Sequence, residues 1–111
     1  MSKVIVNYKI NDKFNRLNAI YINDNIKFIE EKNIIKYDFK KLLLKRENNE
    51  YTLSIDFKNN NCIYELKKIN QSINIPMKVI KINYDKKYIH VIYDIDGQQF
   101  KFYLEIEGIK W

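Results

Sequence analysis

The chain has 111 residues, a formal net charge of +6, one cysteine and two glycines. That length fits one domain over 1–111. A lone Cys62 excludes an internal disulfide, and Gly97 and Gly108 stand too far apart for either Gly-rich phosphate loop, G-x-x-x-x-G-K-[ST] or G-x-G-x-x-G. The start, MSKVIVNYKIND, carries no apolar leader segment. No apolar run approaches the roughly 20 residues needed to span a bilayer. The expectation is a soluble, cytoplasmic protein.

The first alternating run, KVIVNYKI, puts Val4, Val6, Tyr8 and Ile10 on one face. Side chains of a strand alternate between faces, so such a run reads as a half-buried strand. The polar stretch Asn11 to Asn15 breaks it, and Leu17, Ala19 and Tyr21 resume the alternation. A loop at Asn23-Asp24 pairs Tyr21 with Ile26 and Ala19 with Phe28. After the turn EEKN, Ile35, Tyr37 and Phe39 form a fourth set, and Leu42 and Leu44 a fifth. Residues 29–46 also fit helical spacing through Ile35, Phe39, Leu42, Leu43 and Arg46. The β-prone Ile-Ile and Tyr-Asp-Phe favour strands instead.

In EYTLSIDF, Tyr51, Leu53, Ile55 and Phe57 point inward. An Asn48-Asn49 loop pairs Leu53 with Leu44 and Ile55 with Leu42. A turn from Lys58 to Asn61 pairs Phe57 with Cys62 and Ile55 with Tyr64. Ile73, Ile75, Met77 and Val79 continue the core face. Pro76 has no N–H to donate, which marks an edge strand. The apolar phase shifts at Val79-Ile80, where a β-bulge restores the alternation. The register after it stays open: a three-residue loop at Asp85-Lys86-Lys87 points Lys81 and Asn83 inward, whereas a four-residue loop needs the bulge. No internal repeat, low-complexity tract or linker is visible.

The clearest element is YIHVIYDI-DG-QQFKFYLEIE, Tyr88 to Glu107. Asp-Gly between alternating runs is a strong hairpin signal, because both turn positions need positive φ. With Asp96 and Gly97 as the loop, Ile95 faces Gln98, Tyr93 faces Phe100, Val91 faces Phe102 and Ile89 faces Leu104. The other face pairs His90 with Tyr103 and Ile92 with Lys101. About eight to ten short strands in meander order read as a barrel or a sandwich.

Within that order, IIKYDFKKLLLKRENNEYTLSIDF, then CIYEL, INIPMKVIKI and YIHVIYDI resemble the YwiB-like bacterial family, uncharacterised proteins with a calycin-like, lipocalin-type barrel. The shared features are a basic Arg46 before a tight turn, an alternating strand ending in Phe57, a Tyr64-centred strand, a long amphipathic strand and a terminal hairpin containing Tyr93. The resemblance runs from about Tyr21 to Ile106. The family usually has glycines where this chain reads NAIY and YELKKINQ. The resemblance implies an all-β, antiparallel up-and-down (calycin/lipocalin-like) barrel, and it carries no active-site residues across.

The chemistry-bearing residues form no site in sequence. His90, the lone histidine, excludes a multi-histidine metal site and falls on the outer face. Cys62 points inward, away from His90, so the two make no nucleophile pair. Glu105 and Glu107 share the outer face, where Glu107 faces Lys86 as a cross-strand ion pair. No metal, cofactor or enzymatic activity is expected. An eight-stranded barrel is wide enough to be filled by side chains or to hold one small ligand. The first functional expectation is therefore a small apolar or amphipathic molecule inside, against Tyr21, Phe28, Tyr51, Ile55, Tyr64, Met77, Phe100 and Phe102. The second is a basic rim for nucleic acid, built from Lys40, Lys41, Lys67, Lys68, Lys86 and Lys87. A third is a protein partner adding a strand at the edge near Pro76.

Overall fold

In the computed structural model, which describes residues 2–110 and side chains through residue 107, the chain forms eleven antiparallel strands. They are β1 (Ser2–Ile10), β2 (Lys13–Ile22), β3 (Asn25–Glu30), β4 (Asn33–Asp38), β5 (Leu43–Glu47), β6 (Tyr51–Asp56), β7 (Asn61–Leu66), β8 (Gln71–Ile75), β9 (Met77–Tyr84), β10 (Tyr88–Ile95) and β11 (Gln98–Lys110). Residues 29–46 are strands and two turns, so the helical alternative falls. The order is β8-β7-β6-β5-β4-β3-β2-β1-β11-β10-β9, in which only β1 and β11 are neighbours without being consecutive. This is an up-and-down meander curled into a nearly closed barrel.

Both outer strands of that order flank Pro76, as an unpaired proline demands. β8 and β9 are consecutive in the chain, so the two edges of the sheet are joined covalently. Ile75 pairs with Cys62 of β7, and Met77 pairs with Ile95 of β10. The strand changes partner at Pro76, whose carbonyl accepts from the Asp96 N–H at 2.9 Å. Across the remaining seam, the Val79 N–H donates to Asn60 Oδ1 at 2.9 Å.

The terminal hairpin has the expected register throughout: Ile95 faces Gln98, Tyr93 faces Phe100, Val91 faces Phe102 and Ile89 faces Leu104. Asp96 and Gly97 both have positive φ, at 51° and 86°. The bulge also falls where the phase shift put it. Lys81 pairs with Ile92 and Val79 with Tyr93, leaving Ile80 as the extra, exposed residue. Four residues, Asp85 to Tyr88, separate Tyr84 and Ile89, the last pair between β9 and β10.

Three expected pairings are corrected. Leu44 pairs with Ile55 and Arg46 with Leu53, and Leu42 lies in a turn. Ile55 pairs with Cys62, and Leu53 with Tyr64. Both shifts are two residues, so the faces are kept while the partners change. The cause is turn chemistry. Asn48 Oδ1 accepts from the N–H groups of Glu50 and Tyr51, and Asp56 Oδ1 from those of Lys58 and Asn59. The Asn48 cap holds a four-residue turn in place of a two-residue loop, and the Asp56 cap starts its four-residue turn one residue earlier, at 57–60. The third correction is at Asn23-Asp24: Tyr21 does pair with Ile26, but the ladder stops at Ile20–Lys27, short of Ala19 and Phe28.

Inward residues meet at a cluster of rings. Phe102 lies 6.0 Å from Tyr8, 5.9 Å from Tyr37 and 6.1 Å from Phe57 between centroids. Tyr8 contacts Phe28, and Phe57 contacts Tyr93, both edge to face at 5.1 Å. These rings fill the middle of the barrel. Phe102 is 0% exposed, whereas its neighbour Lys101 is exposed. Removing a buried Phe side chain costs about 3–5 kcal/mol, a large part of the roughly 5–15 kcal/mol that holds a domain folded. Phe102→Ala should therefore unfold the protein or nearly so, while Lys101→Ala should change its stability by about 0.5 kcal/mol or less. Denaturant melts of the two variants check this, and equal small losses would refute the packing.

Candidate ligand-binding site

Cross-strand pairs set the inward side chains in rows around the wall. One row runs Phe28, Ile35, Arg46, Leu53, Tyr64 and Ile73 from β3 to β8. The row one step deeper is Ile26, Tyr37, Leu44, Ile55, Cys62 and Ile75. Arg46 is the one charged residue in the two rows. It points inward because it stands two residues beyond Leu44, in the same phase of β5.

Between these rows and the opposite wall lies a cavity of about 120 Å³. Ile35, Leu44, Arg46, Leu53 and Ile55 line one side, and Tyr8, Ile10, Tyr93, Ile95 and Phe100 the other. Arg46 Nε is buried without a hydrogen-bond partner, and among the described residues the guanidinium makes no ion pair. Burial first, and Glu30 second, push the Tyr8 hydroxyl far above the ordinary tyrosine range, while Arg46 pulls it the other way. Tyr8 is thus neutral at working pH, with Glu30 as the acceptor of its hydroxyl.

The cavity lies toward the end of the barrel that carries the Asn48 turn. Polar groups rim this end. Asn48 Nδ2 donates to Asn33 Oδ1 at 3.0 Å, and Asn15 Nδ2 approaches Glu30 Oε2 at 3.5 Å. The ladder between β2 and β3 covers only Ile20–Ile22. Beyond it the strands are bridged by side chains alone, Asn15 to Glu30 and Lys13 to Glu31 at 3.4 Å.

The opposite end carries a shallow groove of about 400 Å³ lined by Asp24, Phe39, Lys40, Tyr84, Asp85 and Lys86. Its turns are tied together through the backbone: the Phe39 N–H donates to Asp24 O, and the Phe57 N–H to Leu42 O. Asp38 Oδ1 caps its turn as Asp56 does. The repeated Asp-Phe-Lys at 38–40 and 56–58 is thus one turn used twice, with Phe39 and Phe57 buried beneath it.

Of the residues expected to line a ligand site, Ile55 and Phe100 line the cavity. Phe28 and Phe102 belong to the filled centre. Tyr21 stands at the groove end, its hydroxyl 3.1 Å from Asp24 Oδ1. Tyr51 and Tyr64 pack on each other at 5.2 Å, and Met77 packs against the core beside Pro76. Period-two phase identifies inward residues without saying where the centre is full. Of the lysines, Lys40, Lys41, Lys86 and Lys87 sit in turns at the groove end. Lys67 and Lys68 sit in the β7–β8 turn at the other end, where Lys67 pairs with Glu47 at 3.2 Å. No single basic rim unites the six.

His90 is exposed and stacks edge-on with Tyr103 at 6.0 Å; Cys62 is buried on the inner face. Glu107 grips Arg16 through two 2.7 Å bonds, in place of the expected Lys86. It can do so because the β1–β11 register skips Glu107: Ile5 pairs with Gly108 and Val6 with Ile106. No group of three or more potential metal ligands occurs among the described residues, and no helix there is long and apolar enough to cross a membrane. No known protein family matches the chain, and no curated protein or solved structure does so either.

Burial also raises Tyr37 and Tyr93 far above the tyrosine value of 10.0. A phenol whose folded pKa exceeds its unfolded pKa adds stability below the unfolded value and loses it as pH climbs through the folded one. Stability should therefore fall steadily above about pH 10, the ordinary tyrosine value. In an absorbance titration, Tyr8, Tyr37 and Tyr93 should ionise together with loss of β circular dichroism. Ionisation of all nine tyrosines before that loss would refute their burial.

Proposed function

We propose that this barrel is a non-catalytic binding module for a small apolar or amphipathic molecule, held in the cavity beside Arg46. The observation that supports it is the cavity itself: an apolar hollow of about 120 Å³ at one end of a barrel otherwise filled by rings. A dry apolar cavity of about 150 Å³ takes up benzene, so the buried part of a ligand here is about one ring in size. The YwiB-like resemblance and a cytoplasmic setting belong to the same reading. Toluene is the simplest probe. With isoleucine methyls labelled, toluene should shift Ile10, Ile35, Ile55 and Ile95, and leave Ile26 and Ile89 in the filled wall unmoved. Uniform or absent shifts would refute the site.

A second reading keeps the groove end as a contact for single-stranded nucleic acid. It is favoured by Lys40 and Lys86 flanking the exposed Tyr84, which offers a ring for stacking. Asp24 and Asp85 oppose it in the same groove. With only four of the lysines at this end, the log–log salt slope should be no steeper than about −3. Fluorescence anisotropy with a labelled oligonucleotide at several salt concentrations measures it; a steeper slope would bring Lys67 and Lys68 back into the contact.

A further inference from the structure

We infer that the cavity's ligand is a small carboxylate, an aryl or short-chain acid that enters apolar end first and rests its anionic group on Arg46. This inference rests on the binding reading above and names the ligand class. Leu44 and Ile55 lie one row deeper than Arg46, so the apolar body fits below the guanidinium and the charged end at its level. Arg46 has an unpartnered Nε on the cavity side and no carboxylate within 4.0 Å among the described residues. A guanidinium presents its donors as a planar fork that matches two carboxylate oxygens. The Tyr8 ring lines the same cavity, and its hydroxyl is held by Glu30. Glu30 accepts from the Tyr8 hydroxyl and from Asn15, and makes no ion pair with Arg46. An uncharged ring would fill the hollow and still leave Arg46 Nε without a partner. A carboxylate satisfies both.

The test compares benzoate with benzamide, which has the same shape and no charge, in methyl-labelled full-length protein. Benzoate should bind at least about tenfold more tightly, the usual advantage of a charge-assisted bond. Arg46→Met, which keeps the volume and removes the charge, should abolish the preference while leaving toluene binding intact. Arg46→Lys should retain part of it. Equal affinity for benzoate and benzamide in the unaltered protein would overturn the inference, and that comparison needs no variant to fold. Toluene binding without benzoate preference would leave the cavity reading standing and sink the carboxylate alone. Failure of all three probes would sink both.

Discussion

The rest of this structure depends on where the sheet closes. A meander of this length leaves two edges, each a row of unpaired N–H and C=O groups that invites association. Here the two edge strands are successive segments of one chain, β8 and β9, bent at Pro76. The first pairs with β7 and the second with β10, so one kinked strand occupies both sides of the seam. Proline suits the hinge because it has no N–H to leave unsatisfied there. The bulge at Ile80 then re-aims the strand, keeping Val79 and Ile82 toward the core. Closure in turn fixes the curvature of every other strand, and so the width of the interior.

That width is too small for a hollow barrel with rings this large. Tyr8, Phe28, Tyr37, Phe57, Tyr93 and Phe102 meet across the middle. Edge-to-face and offset-stacked contacts give such pairs roughly 0.5–1.5 kcal/mol beyond their burial. The plug leaves a small cavity toward one end and an open groove at the other. The size of any internal guest is thus set by the same rings that stabilise the fold.

Much of this was legible in the residues because strand phase is a local property. Val91 opposite Phe102, the Ile80 bulge and the edge at Pro76 all follow from alternation, an Asp-Gly loop and a missing donor. Pairings across Asn48 and Asp56 did not follow, because the length of the first turn and the position of the second depend on side-chain capping that the apolar pattern does not encode. The repeated Asp-Phe-Lys carried that signal, since two copies of one turn imply one loop length. The cavity was hidden for a different reason. Inward-facing residues such as Tyr51, Tyr64 and Phe28 are indistinguishable by phase from Ile55 and Phe100, and only three-dimensional packing separates a filled layer from an empty one. The informative residue was Arg46, a charge in phase with Leu44, where the pattern asks for an apolar side chain.

A cation in that row works against the fold. Its flanking partners are Ile35 and Leu53, and Leu or Met at its place would fill the hollow and avoid desolvating a guanidinium. Arginine tolerates the position because the residue is only partly buried and its stem can lie along apolar neighbours. Nε nonetheless stays dry and unpaired. Local rules broken without a structural return are characteristic of functional positions, where stability is given up for a contact made only with a ligand. Tyr37 provides the comparison. Its hydroxyl is also buried without a partner, yet its ring packs on Phe39 and Phe102 and gives a packing reason for the residue. Arg46 forms no ring contact, ion pair or side-chain hydrogen bond among the described residues, and it lines the cavity. On the proposed reading, the difference between the two orphaned groups separates a tolerated cost of packing from a contact kept for a ligand.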